Sequence, residues 1–174
     1  MKQEIKAKLK KVKVVLLDVD GVLTDGGIYY TNKGDEIKKF NVKDGSGIKM
    51  AIRAGYKFAI VTGRVSNIVL KRATELGIDN IYQGIKQKHT LINDIKRQFK
   101  VNDEEIAFIA DDIIDLELFK KVGVRIAVAD AHKMIKRYAH IITKASGGDG
   151  AVREFIDMLL DVNGLWEKAV EQYL

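Results

Sequence analysis

One stretch, VKVVLLDVDGVLTDG at residues 12–26, restricts the fold more than any other, because it joins an apolar run to three closely spaced carboxylates. The run from Val14 to Leu17 is β-branched and aliphatic, which predicts a strand covered on both faces in a parallel sheet. Ligands of open α/β sheets bind beyond the carboxyl ends of the strands. We therefore expect Asp18 and Asp20 at the mouth of a site, with Gly21 letting the backbone turn away.

The segment DVDGVLTDG, residues 18–26, resembles the first motif, DxDGxxTD, of the haloacid dehalogenase superfamily of aspartate-dependent phosphohydrolases. Two acids in a turn are more often a solvated loop or a helix cap, but the length of this match outweighs that interpretation. The resemblance implies an α/β fold, a doubly wound, Rossmann-like, mostly parallel sheet with helices on both faces. It also implies that Asp18 is the nucleophile and Asp20 the general acid and base.

Residues 27–42 form an insertion between the first strand and its helix. Two β-rich arms flank residues 32–35, with Gly34 at the turn, which indicates a β-hairpin. The hairpin resembles the short flap of the superfamily, and no segment is long enough for a separate cap domain. We expect one domain over residues 1–174, with the flap at about 27–42 and a C-terminal tail at about 161–174.

The glycine-rich stretch KDGSGI, residues 43–48, precedes a helical pattern that runs through Ala54. It lacks the GxxxxGK[ST] spacing of a nucleotide-binding P-loop. Two interpretations stay open. Ser46 is a cap at the helix entry, or the resemblance holds here too and Asp44, Gly45 and Ser46 contact the substrate.

The tripeptide Thr62-Gly63-Arg64 ends the second predicted strand, YKFAIVT, and Ser66 starts the next predicted helix. A hydroxyl and free backbone N–H groups at a helix entrance suit a phosphate oxygen, because both the donors and the helix dipole favour negative charge. Turn chemistry also explains such a tripeptide. Its position one βα unit after the aspartates favours phosphate binding by Thr62 and Gly63.

The third and fourth superfamily motifs are matched further along the chain. The third is a lysine at the start of a helix, and in the predicted helix 85–99 Lys88 fits it better than Lys86. The fourth, GDDxxD, is matched by ADDIID after the strand predicted over residues 105–110, with Ala in place of Gly. The resemblance assigns Mg²⁺ to Asp18, Asp111 and the backbone carbonyl of Asp20, because this ion prefers oxygen ligands.

The remaining motif residues receive supporting roles from the same resemblance. Lys88 and Thr62 would hold the phosphoryl oxygens as charge develops. Asp112 and Asp115 would orient Lys88 or waters on the metal, unless one of them caps the helix predicted over residues 113–121.

Three longer stretches, GIYYTNKGDEIKKFNVKDGSGI, DAHKMIKRYAHIIT and GGDGAVREFIDMLL, resemble the family of 3-deoxy-D-manno-octulosonate 8-phosphate phosphatases, capless tetrameric members of the superfamily. The resemblance implies a phosphatase of lipopolysaccharide precursor synthesis, with Arg64, the Asp44 loop and a neighbouring subunit contacting the sugar acid. The corresponding stretch of this family is usually NVRDGYG, and this chain has Lys43 and Ser46 in place of its Arg and Tyr.

Other functions remain to be weighed against this one. A phosphatase for a sialic-acid-like sugar phosphate, or a catalytically weak oligomerisation module of the same fold, stays open. A receiver-type signalling domain also uses acids, Thr and Lys on such a sheet. There the phosphorylated Asp lies two strand units after the acidic pair, whereas here Asp18 and Asp20 share one strand end.

The formal net charge of +6 raises the question of a polyanionic partner. Lysines are spread over almost every predicted helix and form no block with interleaved aromatics, so we predict no nucleic-acid partner. The first apolar run is broken by Asp18 too soon for a signal peptide or a membrane span. The chain has no cysteine, which permits a reducing compartment. We expect a soluble cytoplasmic homotetramer with no membrane partner.

Overall fold

The structure is a computed structural model that describes residues 2–171. The strands in this part of the chain are β1 (Val14–Leu17), β2 (Tyr29–Tyr30), β3 (Glu36–Ile37), β4 (Lys57–Val61), β5 (Asn80–Tyr82), β6 (Ile106–Ala110), β7 (Val124–Ala127) and β8 (Ile141–Ile142). The helices are α1 (Gln3–Leu9), α2 (Val42–Ala54), α3 (Asn67–Leu76), α4 (Ile92–Phe99), α5 (Leu116–Phe119), α6 (Lys133–Tyr138), α7 (Ala151–Asn163) and α8 (Trp166–Val170).

Six strands form one parallel sheet in the order β5-β4-β1-β6-β7-β8. Every residue of β1 and β6 is buried, as expected for central strands covered on both faces. The strand order reverses at β1, since β4 and β5 lie on one side of it and β6, β7 and β8 on the other. This is the switch point where doubly wound sheets bind ligands. The predicted fold class is confirmed.

Two helices start later or end earlier than the sequence predicts. The helix predicted over 85–99 begins only at Lys88, as a 3₁₀ turn (Lys88–Leu91) that continues into α4. The N–H of Ile85 instead bonds the carbonyl of Thr62, 3.1 Å away, which ties that residue to the end of β4. The helix predicted over 113–121 is a 3₁₀ turn (Ile113–Asp115) followed by α5, which ends at Phe119.

Helix α2 corrects the interpretation of the glycine-rich stretch. The helix begins at Val42, and its cap is Asn41, whose side-chain oxygen accepts the N–H of Lys43 at 2.8 Å. Ser46 is therefore not the cap but lies within the helix. Asparagine is as good a cap as serine, and an acidic residue three positions after it, Asp44, marks a helix start.

The flap is an antiparallel hairpin of β2 and β3, with arms shorter than predicted. After β3 the chain turns inward, so that Phe40 bridges to Thr24 and packs against the core. Glu36 and Lys38 are two residues apart and lie on one side of the arm, while Ile37 between them is exposed. The hairpin therefore has a polar side toward the sheet and an apolar side away from it.

The predicted C-terminal tail overlaps the end of α7, which extends to Asn163, and includes the short helix α8. Ala169 of α8 is fully buried. The first residue of the predicted domain and residues 172–174 of the tail lie outside the described residues. Within residues 2–171, every helix is too short or too polar to cross a membrane.

Candidate active site

Most of the residues singled out from the sequence meet at the carboxyl ends of β1, β4 and β6. A cavity of about 250 Å³ opens there. It is lined by Asp18, Asp20, Gly26, Thr62, Gly63, Arg64, Asp111, Asp112 and Ile114. Neighbouring parallel strands end at the same edge of the sheet, which is why residues about 90 positions apart share one cavity.

The loop after β1 is folded tightly around the carbonyl of Val19, which accepts the N–H groups of Leu23 at 2.9 Å and Thr24 at 3.0 Å. Gly21 adopts a φ of +83°, and a Cβ there would overlap the carboxylate of Asp111. Both the backbone conformation and the close approach therefore require glycine. The loop brings Asp18 and Asp20 to the cavity that Asp111 lines from β6.

Lys88 lies between two buried carboxylates at the base of the cavity. Its Nζ atom is 2.7 Å from Oδ1 of Asp18 and 2.6 Å from Oδ1 of Asp115. Burial acts to lower the pKa of Lys88, but the two carboxylates outweigh it and the pKa is raised. Lys88 therefore stays a cation. Lys86, the alternative from the sequence, is exposed.

Burial raises the pKa of both carboxyl groups that contact this lysine. For Asp18 the ion pair with Lys88 opposes the shift without cancelling it. For Asp115 the charge of Asp18 adds to the effect of burial, and its pKa lies well above the usual range. One cation thus serves two buried anions, and the cluster still lacks positive charge.

Asp111 supplies the place where further positive charge fits. Its Oδ1 atom is buried, and no group in residues 2–171 donates a hydrogen bond to it. Burial, with the charges of Asp18 and Asp112, raises the pKa of Asp111 to about 7. One carboxylate oxygen from each of Asp18, Asp111 and Asp115 lies within 4.8 Å of the others. An all-oxygen donor set with an unpaired buried oxygen suits Mg²⁺.

The side chain of Asp20 faces the flap. Its Oδ1 is 2.5 Å from Nζ of Lys38, and its Oδ2 is 3.8 Å from Nε of Arg64. Thr62 is buried beside these groups, and its Oγ1 accepts the N–H of Arg64 at 3.4 Å. Ser66, the N-cap of α3, makes no side-chain bond to its own helix. The carboxylate of Asp20, the hydroxyl of Thr62 and the guanidinium of Arg64 therefore border one side of the cavity.

Three comparisons with known proteins agree with this arrangement. The family model of haloacid dehalogenase-like hydrolases matches residues 80–156. The 3-deoxy-D-manno-octulosonate 8-phosphate phosphatase KdsC of Escherichia coli (strain B / BL21-DE3) is 41% identical over 169 residues, which are 97% of this chain and 90% of that protein. The chain belongs to the haloacid dehalogenase-like hydrolases.

Two solved structures of such hydrolases resemble the whole fold. The 3-deoxy-D-manno-octulosonate 8-phosphate phosphatase of Moraxella catarrhalis, in complex with magnesium ion, phosphate ion and KDO, has a TM-score of 0.95 and 34% identity and covers 100% of both chains. The enzyme of the same name from Yersinia pestis has a TM-score of 0.92 and 38% identity, over 95% of this chain and 89% of that one.

The structure places the second and third acids of the fourth hydrolase motif, Asp112 and Asp115, in different roles. Asp115 contacts Lys88, as predicted for one of the pair. Asp112 is exposed, and its carboxylate accepts the N–H of Ile113 at 2.7 Å as a cap of the 3₁₀ turn. It lines the cavity, but its hydrogen bond in this structure is to the backbone.

Asp44, Gly45 and Ser46, which the sequence predicts to contact the substrate, lie away from the cavity within this chain, so that contact stays a prediction. All three lie in α2 and outside the residues that line the cavity. Asp44 is buried, and its Oδ1 accepts the N–H of Arg153 at 2.8 Å, which ties α2 to the start of α7. A Cβ on Gly45 would overlap the guanidinium of Arg72, so this face of α2 is packed.

Sequence reasoning missed the flap residues that reach the site. Lys38 is buried against Asp20, and Glu36 bonds Ser66 at 2.6 Å and Arg64 at 3.2 Å. Lys38 is one of many lysines in the chain, so its type carries no signal. The alternation of Glu36 and Lys38 around the apolar Ile37 is the pattern that could have indicated a charged face on the hairpin.

Proposed function

We propose that this protein hydrolyses 3-deoxy-D-manno-octulosonate 8-phosphate to the free sugar acid and inorganic phosphate. The observation that carries the proposal is the buried contact of Lys88 with Asp18 and Asp115, next to the unpaired oxygen of Asp111. The substrate follows from the two relatives of that name, which the chain resembles over nearly its whole length. The domain assignment over residues 1–174 belongs to the same proposal.

Asp18 and Asp20 divide the reaction into two displacements. In the first, a carboxylate oxygen of Asp18 bonds to phosphorus while the bond to the sugar oxygen breaks. Asp20 donates its proton to that oxygen, so the sugar leaves as an alcohol. In the second, Asp20 takes a proton from water, whose oxygen bonds to phosphorus and releases Asp18 and phosphate.

Lys88, through its contact with Asp18, and the cavity-lining residues Thr62 and Gly63 would hold the phosphoryl group. Lys88 keeps the carboxylate of Asp18 in place, and its charge stabilises the negative charge that gathers on the phosphoryl oxygens. Thr62 and the backbone at Gly63 contribute neutral donors. Arg64 is 41% exposed at the rim, where a guanidinium can pair with a carboxylate of a sugar acid.

Mg²⁺ is the cofactor we propose, held by Asp18, Asp111 and the backbone carbonyl of Asp20. When bound, the ion neutralises the carboxylates and phosphate oxygens that must approach each other. The support is the donor chemistry of the cluster and the magnesium ion in the Moraxella catarrhalis complex. Asp115 and, from the cavity wall, Asp112 support this set.

We also propose that the active form is a cytoplasmic homo-oligomer, a tetramer by similarity. Several large apolar side chains are exposed on the flap and around the cavity, among them Ile28, Ile37, Val65 and Ile114. A second subunit over this surface would cover the sugar and exclude water, which strengthens the electrostatic interactions in the site. The cysteine-free sequence is compatible with a reducing compartment.

Phosphate release with Mg²⁺ across a panel of sugar-acid phosphates tests the proposal. We expect the highest kcat/KM for 3-deoxy-D-manno-octulosonate 8-phosphate, and lower values for a nine-carbon sialic-acid-like phosphate and for a simple hexose phosphate. Excess chelator and Asp18→Asn should each abolish turnover, while Asp79→Asn, an exposed acid away from the cavity, should not. A higher kcat/KM for another sugar acid would overturn the substrate assignment, and turnover by Asp18→Asn would overturn the mechanism.

A further inference from the structure

The flap reaches the catalytic loops through a compact group of charges. Lys38 contacts Asp20 and also Glu36, 3.4 Å away, and Glu36 in turn contacts Arg64 at 3.2 Å. Two cations and two anions balance within this group. Three separate segments meet in it, namely the flap, the loop after β1 and the loop after β4. The hydroxyl of Ser66 also donates a hydrogen bond to Glu36 at 2.6 Å, which adds a second contact between the flap and the loop after β4.

Lys38 and Arg64 differ in how they can act on Asp20. The Lys38 side chain is only 2% exposed and lies 2.5 Å from the carboxylate, whereas Arg64 is 41% exposed and 3.8 Å away. Lys38 does not line the cavity, while Arg64 does. A buried cation held by two carboxylates has little freedom to move, so it can hold one of them in a fixed orientation.

We propose that Lys38 is a positioning residue that orients the carboxylate of Asp20 toward the leaving oxygen of the substrate. The inference rests on the proposed phosphatase function. In the step concerned, Asp18 bonds to phosphorus, the bond from phosphorus to the sugar oxygen breaks, and the proton of Asp20 moves to that oxygen. Through Lys38 the flap thus acts on proton transfer at the sugar oxygen.

The nature of the leaving group separates this role from a structural one. A sugar alkoxide is strongly basic and departs only when it is protonated, whereas p-nitrophenolate departs without a proton. The parameter kcat/KM reports steps up to the departure of the leaving group, because that departure is irreversible under initial-rate conditions. A residue that orients Asp20 therefore affects kcat/KM for the sugar phosphate and spares that for p-nitrophenyl phosphate.

The experiment compares Lys38→Met with Lys39→Met on both substrates. Lys39 is the adjacent lysine, exposed and 3.7 Å from Asp25. We expect Lys38→Met to lower kcat/KM for the sugar phosphate about 10- to 100-fold, the size of loss that a small misplacement of a catalytic group causes. On p-nitrophenyl phosphate the loss should stay within about threefold, and Lys39→Met should match the wild type on both. Lys38→Arg should recover most of the loss.

A second comparison uses the Asp20→Asn background. If Lys38 acts through Asp20, adding Lys38→Met there should cost no more than about a further twofold, because coupled residues give non-additive effects. Lys38→Gln, which keeps a hydrogen-bond donor, replaces Lys38→Met if that variant melts below the assay temperature. It should show a smaller loss with the same dependence on substrate.

The outcomes distinguish this inference from the function on which it rests. Equal losses of Lys38→Met on the two substrates, no loss on either, or an additive loss in the Asp20→Asn background would overturn the role of Lys38 alone. If the wild type prefers another alkyl phosphate, the same comparison is made with that substrate. A wild type that releases phosphate from no monoester would overturn both proposals.

Discussion

At the scale of single residues, the site is governed by an imbalance of buried charge. Asp18, Asp111 and Asp115 are three acids in one cluster, and Lys88 is the cation that contacts two of them. An ion pair removed from water has to recover the hydration energy of both partners, and a buried anion without a partner is costly. Burial therefore disfavours the ionised form of each carboxyl group, and the pKa values of all three are raised.

Replacing Lys88 tests this charge balance. We expect Lys88→Met to lower kcat at least about 100-fold, since a charge that stabilises the transition state is lost. Breaking a buried ion pair costs up to about 3–5 kcal/mol, and protonation of the freed carboxylates limits that cost. Their pKa values rise further without the cation, so the variant should be more stable at pH 5 than at pH 8. Thermal melts at both pH values check this, with the exposed Lys86→Met as the matched control.

The raised pKa of Asp111 predicts that the affinity of the proposed metal site depends on pH. Its pKa of about 7 means that below pH 7 the metal-free protein carries a proton there, which a bound cation must displace. We expect Mg²⁺ affinity to rise up to about tenfold per pH unit below pH 7 and to level off above it. Calorimetric titration of the wild type between pH 5.5 and 8.5 measures this. A Kd for Mg²⁺ that is constant over that range would contradict the prediction.

Much of the site could be predicted from the sequence because its residues follow strand ends. Asp18, Thr62 and Asp111 each come directly after a strand that the apolar pattern identifies, and parallel strands bring such positions together. Lys38 could not be predicted in this way. The position of Lys38 depends on the angle at which the flap hairpin folds back over the sheet. Neither the alternation of polar and apolar residues in the hairpin nor its turn determines that angle.

At the scale of elements, the loop after β1 is packed against a segment that is far away in sequence. A Cβ on Gly147 would overlap the carbonyl of Gly21, and a Cβ on Gly148 would overlap the backbone of Thr24. The N–H of Gly148 donates to the carbonyl of Val22 at 2.9 Å. The segment before α7 therefore packs directly against the loop that carries Asp18 and Asp20.

Helix α7 is held in register with α2 by Asp44. The carboxylate accepts the N–H of Arg153 at 2.8 Å and that of Gly150 at 3.3 Å, so it serves as a cap supplied by another helix. Burial raises the pKa of Asp44 even though these N–H groups oppose the shift. An element boundary is thus stabilised by a residue 106 to 109 positions away, which no local pattern in the sequence can indicate.

Asp44→Ala separates the structural role from the substrate contact expected at first. Leaving the N–H groups at the start of α7 without a partner should lower the free energy of unfolding by about 1–3 kcal/mol. The KM for the sugar phosphate should change less than about twofold, since Asp44 does not line the cavity. Denaturant unfolding and steady-state kinetics measure the two effects. Asp44→Asn retains an acceptor oxygen and should recover part of the stability. A large rise in KM for Asp44→Ala without a loss of stability would instead indicate that Asp44 contacts the substrate.

Boundaries of elements were harder to predict than their order. Helices such as α3 follow from apolar spacing and from Gly77 at the end, which takes the left-handed conformation common after helices. The starts of α2 and of the Lys88 turn depend on hydrogen bonds to Asn41 and Thr62. The first residue of each of these helices is set by hydrogen bonds of single backbone groups. The spacing of apolar residues in the sequence does not report such bonds.

At the scale of the whole molecule, the apolar side of the flap lacks a covering layer within residues 2–171. Ile37 is 50% exposed, and Ile28 and Tyr29 are exposed beside it. The hairpin is short and leaves Arg64 and Ile114 open at the cavity rim. Phe40, which follows the second arm of the flap, packs against the core and is therefore unsuited to a test of assembly.

Charging the outer side of the flap tests the proposed oligomer. We expect the wild type to sediment as a homo-oligomer and Ile37→Asp to dissociate it, because burying an unpaired carboxylate in an apolar interface is costly. Activity should fall with dissociation and recover partly at high protein concentration, if a neighbouring subunit completes the cover of the site as proposed. Ile142→Asp, an isoleucine equally exposed on the edge strand β8, is the matched control and should leave the assembly intact. A wild type that is fully active as a monomer at assay concentrations would refute the proposal, because the site would then be complete within one chain.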